Sequence, residues 1–185
     1  MHRTITRGRK QACFRYDCFA RLVQSCSNGR NTRPMSLAYK QESQMSTDHV
    51  KLGHLFAEIV SGHDVSRFDE ILALGYVNHN PFAEPGPEGV KKIFGAIIAG
   101  VPDLKVFAED VFGSADGTRV VGRYRYVGTH TGSFLGYPAT GNAFAMRSID
   151  IWRVEDGRLV EHWDELNTLD IFSQVGAVPP LGQPL

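Results

Sequence analysis

Cysteine is absent from residues 27–185 of this 185-residue chain, so no disulfide can stabilise that part. The three cysteines, Cys13, Cys18 and Cys26, lie near the N-terminus, and no histidine pair stands beside them at a zinc-ligand spacing. No apolar run approaches the roughly 18 residues that cross a bilayer, so we predict no membrane insertion. Phosphate-binding glycine loops and the G-x-S-x-G nucleophile motif are also missing.

The chain also has no net charge, because twenty Lys and Arg residues balance twenty Asp and Glu residues. A neutral chain is not typical of nucleic-acid-binding proteins, and we predict no such partner. The balance conceals two unlike pieces. Residues 1–40 hold nine basic residues and one acid, net +8, which leaves eleven basic and nineteen acidic residues, net −8, in residues 41–185.

The basic piece shows neither hydrophobic periodicity nor the apolar core of a secretory signal. Three interpretations fit its Arg-rich composition: an organelle transit peptide, a gene start placed too early, or a basic arm that touches anionic surfaces. Met35 and Met45 are alternative starts under the second interpretation. We expect residues 1–45 to be unstructured, and the protein to be cytoplasmic, or mitochondrial if the segment is a transit peptide.

The remaining sequence changes its hydrophobic period once. Spacings typical of helices predict one helix from a cap at Ser46 or Thr47 to Gly62, a short one from Ser66 to Gly75, and a third from Pro87 to Gly100. After Pro102 the period becomes two. We predict strands at 104–112, 118–131, 142–154 and 158–164, and a last helix near 168–174.

Three helices followed by a meander of long strands predict an α+β fold. We place the folded domain at residues 46–178, with a Pro/Gly-containing tail at 179–185. A strongly curved, largely antiparallel sheet wrapped around the helices would form a cone with a pocket inside.

The last two strands are the most informative. If Glu155-Asp156-Gly157 forms a three-residue hairpin loop, Asp150 faces His162, Ser148 faces Asp164, and Trp152 faces Val160. A two-residue loop would scatter these side chains over both faces. On the three-residue register, strand alternation gathers one set on a common face: Phe144, Met146, Ser148, Asp150, Trp152, His162 and Asp164.

That face surrounds two carboxyls and an imidazole with large apolar side chains, which suits general acid–base chemistry inside a pocket. The alternative is a satisfied Asp150–His162 pair on a solvated face. His79 at a cavity mouth and His130, which alternates with Tyr124 and Tyr126, are weaker candidates. No two of these histidines have a metal-ligand spacing, so we predict no metal and no cofactor.

Residues 50–178 resemble the SnoaL-like polyketide cyclase family of the NTF2-like superfamily. The motifs that carry the resemblance are GVPDL at 100–104, GTHTGSFLGYPATG at 128–141, IDIWRVEDGR at 149–158, EHWD at 161–164 and QVGAVP at 174–179. The resemblance implies an α+β cone of helices on a curved, mixed sheet. It also implies ring closure by intramolecular aldol condensation without a cofactor, with Asp164 at the position of the base.

Ser148 and Asp150 replace the Gln and His that the family's cyclases carry at those cavity positions, so the substrate does not transfer with the resemblance. We predict Asp164, His162 and Asp150 as catalytic residues on a small hydrophobic substrate. The predicted substrate contacts are Ser148, His130, His79, Tyr124, Trp152, Phe144 and Met146. A binding protein without catalysis, and an epoxide hydrolase or dehydratase, remain alternatives. Ile149, Ile151 and Trp163 on the outer face predict a homodimer.

Overall fold

The computed structural model describes residues 37–179 and Gly182, with side chains from Asp48 onward. Our predictions for residues 1–36, including a targeting role, lie outside the described residues. Within the described part of the chain, no helix is both long enough and apolar enough to cross a membrane.

The chain enters the fold through helix α1 (Leu37–Gly62), which begins before the predicted cap at Ser46 or Thr47. The predicted domain start at residue 46 therefore lies inside a helix. A short 3₁₀ helix follows at Val65–Glu70. Its cap is Asp64, whose carboxylate accepts a hydrogen bond from the Ser66 backbone N–H at 3.2 Å, and not Ser66 as the sequence pattern suggested.

Strand β1 (Leu72–Asn78) replaces most of the second predicted helix, which was wrong beyond residue 70. Leu74, expected on an apolar helix face, is 99% exposed, whereas Leu72 and Tyr76 are buried. A short apolar run fits a helix and a strand equally well. Parallel pairing of this segment with the last strand of the sheet decides between them.

The other elements lie close to their predicted positions. They are α2 (Gly86–Gly100), β2 (Lys105–Gly113), β3 (Arg119–Thr129), β4 (Ala143–Glu155), β5 (Arg158–Leu166) and α3 (Thr168–Gln174). The five strands form one curved, mixed sheet in the order β1-β5-β4-β3-β2, in which only the β1–β5 pair is parallel. The predicted α+β class is confirmed.

Phe56 of α1 joins the helices to the sheet. Its ring lies 5.9 Å from that of Phe68, 5.5 Å from Phe94, 5.3 Å from Tyr124 and 5.2 Å from Trp152, measured between centroids. Tilted and edge-on contacts of this kind add to the free energy of apolar burial. The aromatic cluster fixes α1 against β3 and β4, and the pocket lies beside it.

The β4–β5 hairpin differs from the predicted register. Its loop has two residues, Asp156 and Gly157, both with positive φ (49° and 72°), as a type I′ turn requires. Val160 then has no partner on β4, because Val154 pairs with Leu159 while Arg153 pairs with Glu161. This β-bulge adds one residue to β5 and restores the alternation that the shorter loop would have inverted.

The predicted pairs across this hairpin are therefore wrong by two residues, and because two is an even number the predicted face is retained. Asp150 pairs with Asp164 instead of His162, Trp152 pairs with His162 instead of Val160, and Ser148 pairs with Leu166. The inward positions of β4 are buried without exception: Phe144, Met146, Ser148, Asp150, Trp152 and Val154. His162 of β5 is buried beside them.

Candidate active site

Asp150 and His162 form a buried pair between β4 and β5. His162 Nε2 lies 2.9 Å from Asp150 Oδ1, and the two residues are 7% and 2% exposed. The imidazole stacks on Trp152 with 5.1 Å between ring centroids. These values exclude the solvated-face alternative for the pair, because both polar groups are shielded from water.

The contacts of the second ring nitrogen of His162 show where one imidazole proton lies. His162 Nδ1 lies 3.1 Å from Asn78 Oδ1, and the same oxygen accepts the backbone N–H of Asn80 at 3.0 Å. Because a backbone N–H only donates, that Asn78 atom is an acceptor, and Nδ1 must carry a proton. One further proton lies between Nε2 and Asp150, so the pair keeps the same net charge whichever atom holds it.

Hydrogen bonds continue from Asp150 along the sheet. Ser148 Oγ, also buried, donates to Asp150 Oδ2. The Tyr126 hydroxyl interacts with Ser148 in turn, and burial raises the pKa of that phenol well above its ordinary value. Both Asp150 oxygens therefore have partners, and the carboxyl is held in one orientation.

Asp164 lies across from Asp150 on the same face and is only half-buried. Asn80 Nδ2 donates to Asp164 Oδ2 at 2.6 Å. Burial raises the pKa of Asp164 above its ordinary value, and the Asn80 hydrogen bond and nearby His162 oppose that rise in part. One carboxyl oxygen is thus held by an amide while the pKa favours uptake of a proton, as a general base requires.

A cavity of about 60 Å³ adjoins these groups. Its polar lining comes from Asn78, Asn80, Asp150, His162 and Asp164. Mainly apolar side chains cover the rest: Phe56, Ala83, Ile93, Phe94, Ile97, Tyr126, Met146 and Leu166. The arrangement places a carboxyl at the edge of a mainly apolar space, which suits a hydrophobic substrate with a polar reacting centre.

A second, apolar cavity of about 50 Å³ shares several of these lining residues. It extends towards Phe82, Phe134, Leu135 and Phe172, between α2, α3 and the 131–141 loop. Leu135 and Gly136 both have positive φ (50° and 80°), which closes the Phe134–Tyr137 bridge at the loop tip. This cavity continues the apolar lining from Met146 and Leu166 towards Phe172.

The structure brings Asp150, His162, Asp164 and Ser148 together, and Met146 lines both cavities. Tyr124, Phe144 and Trp152 are buried in the core and do not line either cavity. The Tyr124 hydroxyl donates to the Gly53 carbonyl oxygen at 2.8 Å, across a close approach of α1 to the sheet. These three side chains support the site from behind.

The two weaker histidine candidates lie away from both cavities. His79 is exposed, binds Glu161 Oε1 through Nε2 at 3.0 Å and stacks on Trp163 on the outer side of the sheet. His130 is buried, and its Nδ1 lies 3.0 Å from Thr140 Oγ1. Its Nε2 has no hydrogen-bond partner among the described residues.

Sequence reasoning missed Asn78, Asn80 and the cavity position of Tyr126. The available signal was the alternation of two asparagines on either side of His79 at the end of a strand. Alternation places Asn78 and Asn80 on the face opposite to His79. Without the parallel β1–β5 pairing, that face could not be assigned to the pocket.

Asp150, His162 and Asp164 also present one oxygen or nitrogen each within 4.8 Å of one another. Such a set could in principle hold a metal ion. Both His162 nitrogens, however, are in hydrogen bonds to Asn78 and Asp150, so a metal would have to displace one of them. The arrangement is that of a hydrogen-bonded Asp150–His162 pair next to the Asp164 carboxyl.

Comparison with known proteins places this geometry in a family. The family model for the SnoaL-like polyketide cyclase matches residues 51–175. The aklanonic acid methyl ester cyclase DauD of Streptomyces sp. (strain C5) is 31% identical over 121 residues, which cover 61% of this chain and 70% of the relative. The aklanonic acid methyl ester cyclase DnrD of Streptomyces peucetius is also 31% identical over 121 residues, covering 61% and 78%.

Solved structures agree. TsrD from Streptomyces laurentii superimposes with a TM-score of 0.61 at 30% identity, over 78% of this chain and 99% of that one. A SnoaL-like protein from Jannaschia sp. CCS1 gives a TM-score of 0.64 at 24% identity, over 73% and 96%, and supports the fold. The cone-like α+β fold, the inward carboxyl on the last strand and the match over residues 51–175 together show that this chain belongs to the SnoaL-like polyketide cyclase family.

Proposed function

We propose that this chain is a cofactor-independent cyclase that closes a ring by intramolecular aldol condensation, with Asp164 as the general base and acid. The observation that carries the proposal is the Asp164 carboxyl. It lines a largely apolar cavity, has one oxygen held by Asn80 and has its pKa raised by burial. Its second oxygen, Oδ1, is in no hydrogen bond to the described residues and is available to a substrate.

In the proposed reaction, Asp164 removes a proton from a carbon next to one or more carbonyl groups. The electron pair moves onto the carbonyl oxygen to give an enolate. The enolate carbon then forms a bond to a second carbonyl carbon of the same molecule, and the oxygen of that carbonyl takes the proton back from Asp164. Substrate positioning and one correctly placed base supply the catalysis.

Asp150 and His162 would serve Asp164 as a fixed, charge-compensated neighbour. Beyond the effect of burial, the Asp150 carboxyl raises the pKa of Asp164 by charge repulsion, whereas His162, which is hydrogen-bonded to Asp150, lowers that pKa. Ser148 holds the far Asp150 oxygen. The Asp164 carboxyl can therefore ionise although another carboxyl lies across from it, with a pKa that burial keeps above its ordinary value.

The substrate class follows from the apolar lining and from the relatives. DauD and DnrD are named as aklanonic acid methyl ester cyclases. By analogy, we propose a polyketide-derived carbonyl compound whose apolar part occupies the space near Met146 and Phe172. The polar reacting centre would lie against Asp164.

The experiment replaces Asp164 with Asn and measures ring closure of aklanonic acid methyl ester by chromatography and mass spectrometry, since the product has the same mass as the substrate. Loss of the base should lower kcat by roughly 10²- to 10⁴-fold. The matched control is Glu88→Gln, which makes the same carboxyl-to-amide change at a side chain that is 82% exposed. Full activity of a folded Asp164→Asn protein would contradict the assignment, and tight binding by the wild type without turnover would favour a binding protein.

We also propose a homodimer formed through the outer face of the sheet. Ile149 is 51% exposed there, and Ile151 and Trp163 lie on the same face. Arg123, Glu109 and their neighbours surround these apolar side chains with charges of both signs, which suits a second copy of the same surface. Light scattering coupled to size-exclusion chromatography should give twice the chain mass, and an Ile149→Lys variant should be monomeric.

A cytoplasmic location is proposed for the mature protein, with the mitochondrion as the alternative if the basic N-terminal segment directs import. Mass spectrometry of the mature N-terminus separates these cases. Retention of residues 1–45 would contradict a cleaved transit peptide, and cleavage upstream of α1 would support one.

A further inference from the structure

The end of strand β1 places two asparagine side chains in the cavity and one histidine outside it. Asn78 and Asn80 are half-buried and line the same cavity as Asp164. His79, between them, faces Glu161 and Trp163 on the outer side. This alternation gives the cavity two amide groups whose orientations can be assigned separately.

The orientation of Asn78 is set by two donors. Its Oδ1 accepts the Asn80 backbone N–H at 3.0 Å and the Nδ1–H of His162 at 3.1 Å. A backbone N–H cannot bond to an NH₂ group as acceptor, so the oxygen and nitrogen of this amide cannot be exchanged. Asn78 Nδ2 is therefore the side of the amide that is left for another partner.

The two amides differ in what their nitrogen contacts. Asn80 Nδ2 donates to Asp164 Oδ2, and Asn80 Oδ1 accepts the Phe82 backbone N–H at 2.8 Å. Asn78 Nδ2 has no hydrogen-bond partner among the described residues. The Asn80 amide is thus bonded to Asp164, the proposed base. Asn78, in contrast, keeps two N–H donors free of protein partners among the described residues, in the cavity that Asp164 also lines.

An enolate in this cavity needs a donor. Asp150 and Asp164 are carboxyls, both His162 nitrogens are in hydrogen bonds, and the Tyr126 hydroxyl interacts with Ser148. Negative charge that develops on a carbonyl oxygen in a space of low polarity is strongly stabilised by a preorganised N–H donor. Asn78 Nδ2 meets that description, and the two bonds to its oxygen preorganise it.

We propose that Asn78 is a catalytic residue whose side-chain amide donates a hydrogen bond to the carbonyl oxygen of the substrate as Asp164 enolises it. The inference rests on the proposed function. The proton leaves the substrate carbon for Asp164, the electron pair reaches the oxygen held by Asn78, and the new carbon–carbon bond uses that pair. Asn78 itself neither gains nor loses a proton.

The kinetic experiment compares Asn78→Asp with Asn78→Ala. It is carried out at a pH above the range in which kcat falls because Asp164 becomes protonated. Aspartate keeps an acceptor for the Asn80 N–H and for His162, but replaces the donor by an oxygen; alanine removes both. Asn78→Asp should keep the thermal stability of the wild type while kcat falls roughly 10²- to 10³-fold and KM changes little. If residue 78 is only structural, activity will follow stability, and Asn78→Asp will be the more active variant; that result would overturn the proposal.

A binding experiment tests the donor without turnover. In the Asp164→Asn background, 4-nitrophenolate represents the enolate and 4-nitroanisole is its neutral counterpart. Adding Asn78→Ala, which removes the donor without adding a charge, should weaken phenolate binding by about tenfold or more, as expected for a hydrogen bond to a charged group, and leave the anisole nearly unaffected. Tyr126→Phe, which removes the competing donor, should leave phenolate binding intact.

Three outcomes of that titration would overturn the proposal: phenolate that binds no tighter than the anisole, unchanged phenolate affinity after Asn78→Ala, or loss of affinity in Tyr126→Phe alone. The proposed function fails separately, through an active Asp164→Asn protein. The two results are therefore distinguishable, because one is an equilibrium measurement on inactive protein and the other is a rate.

Discussion

Asp150 and Asp164 are direct cross-strand partners on the inner face of the β4–β5 hairpin, so two carboxyls face the same small cavity. Two negative charges this close would oppose each other, and the structure separates their roles. Asp150 shares a proton with His162 and is buried, while Asp164 is half-buried and bonded to an amide. The charge of the first is compensated, and the second is left to change its protonation during the reaction.

The first prediction concerns the stability of Asp164→Asn. Because burial raises the pKa of Asp164 above 3.8, the folded chain keeps this proton to a higher pH than the unfolded chain does. Raising the pH through that window therefore lowers the free energy of unfolding. Asparagine does not titrate, so the variant should be more stable than the wild type at neutral pH, with the advantage fading below the ordinary pKa. Urea unfolding across a pH series measures this, and a variant that is less stable at pH 7 would contradict it.

The second prediction concerns Asn80. Its hydrogen bond to Asp164 lowers the pKa of the carboxyl against the larger effect of burial. In Asn80→Ala, the acid limb of the kcat profile should move to higher pH, while kcat above the limb recovers towards the wild-type value. The wild-type limb itself should lie above pH 3.8. Glu88→Gln is the control and should leave the limb in place; an unmoved limb in Asn80→Ala would show that the amide does not act on the base.

The third prediction is a double-mutant cycle on the buried pair. Asp150→Asn or His162→Gln alone leaves the other group without its charged partner, which should cost about 3–5 kcal/mol of unfolding free energy. The double variant should cost less than the sum of the two, with a coupling energy of about 1–3 kcal/mol. Equilibrium unfolding in urea supplies all four values. Additive costs would mean that the two residues do not act as a pair.

The fourth prediction tests the tight turn between β4 and β5. Gly157 has a φ of 72°, where a β-carbon is unfavourable, so Gly157→Ala should destabilise the fold by about 1–2 kcal/mol. Gly75→Ala is the matched control, since Gly75 has no positive φ and an added β-carbon there meets no atom within 4 Å. Thermal unfolding should separate the two variants, and the folded fraction of Gly157→Ala should keep its activity. Equal melting temperatures would contradict the turn assignment.

The sequence was sufficient for the α+β class and for the inner face of β4, because alternation over a long strand is a strong signal. It was insufficient for the hairpin register. The pattern predicts a three-residue loop at Glu155-Asp156-Gly157, and nothing around Val160 indicates a bulge. The shorter loop and the bulge each shift β5 by one residue and each invert the alternation, so the two inversions cancel. The predicted face is therefore right although each predicted pair is wrong.

The amides of the site could not be predicted for a different reason. Asn78 and Asn80 reach the pocket only because β1 pairs in parallel with β5. This pairing joins segments that are far apart in sequence, and the local hydrophobic pattern does not predict it. The same parallel pairing explains why the segment around Leu74, predicted as a helix, is a strand. Residues contributed by β4 and β5 were found because those strands are neighbours in sequence.

The parallel β1–β5 pairing also determines when the site can form. Asn78 meets His162, and Asn80 meets Asp164, across 84 positions of chain in each case. Contacts between residues this far apart in sequence form late in folding, because closing a long loop costs entropy before any contact is gained. A ribosome-bound chain that has not yet released β5 holds none of these bonds. Catalysis therefore requires that β5 has left the ribosome and has paired with β1.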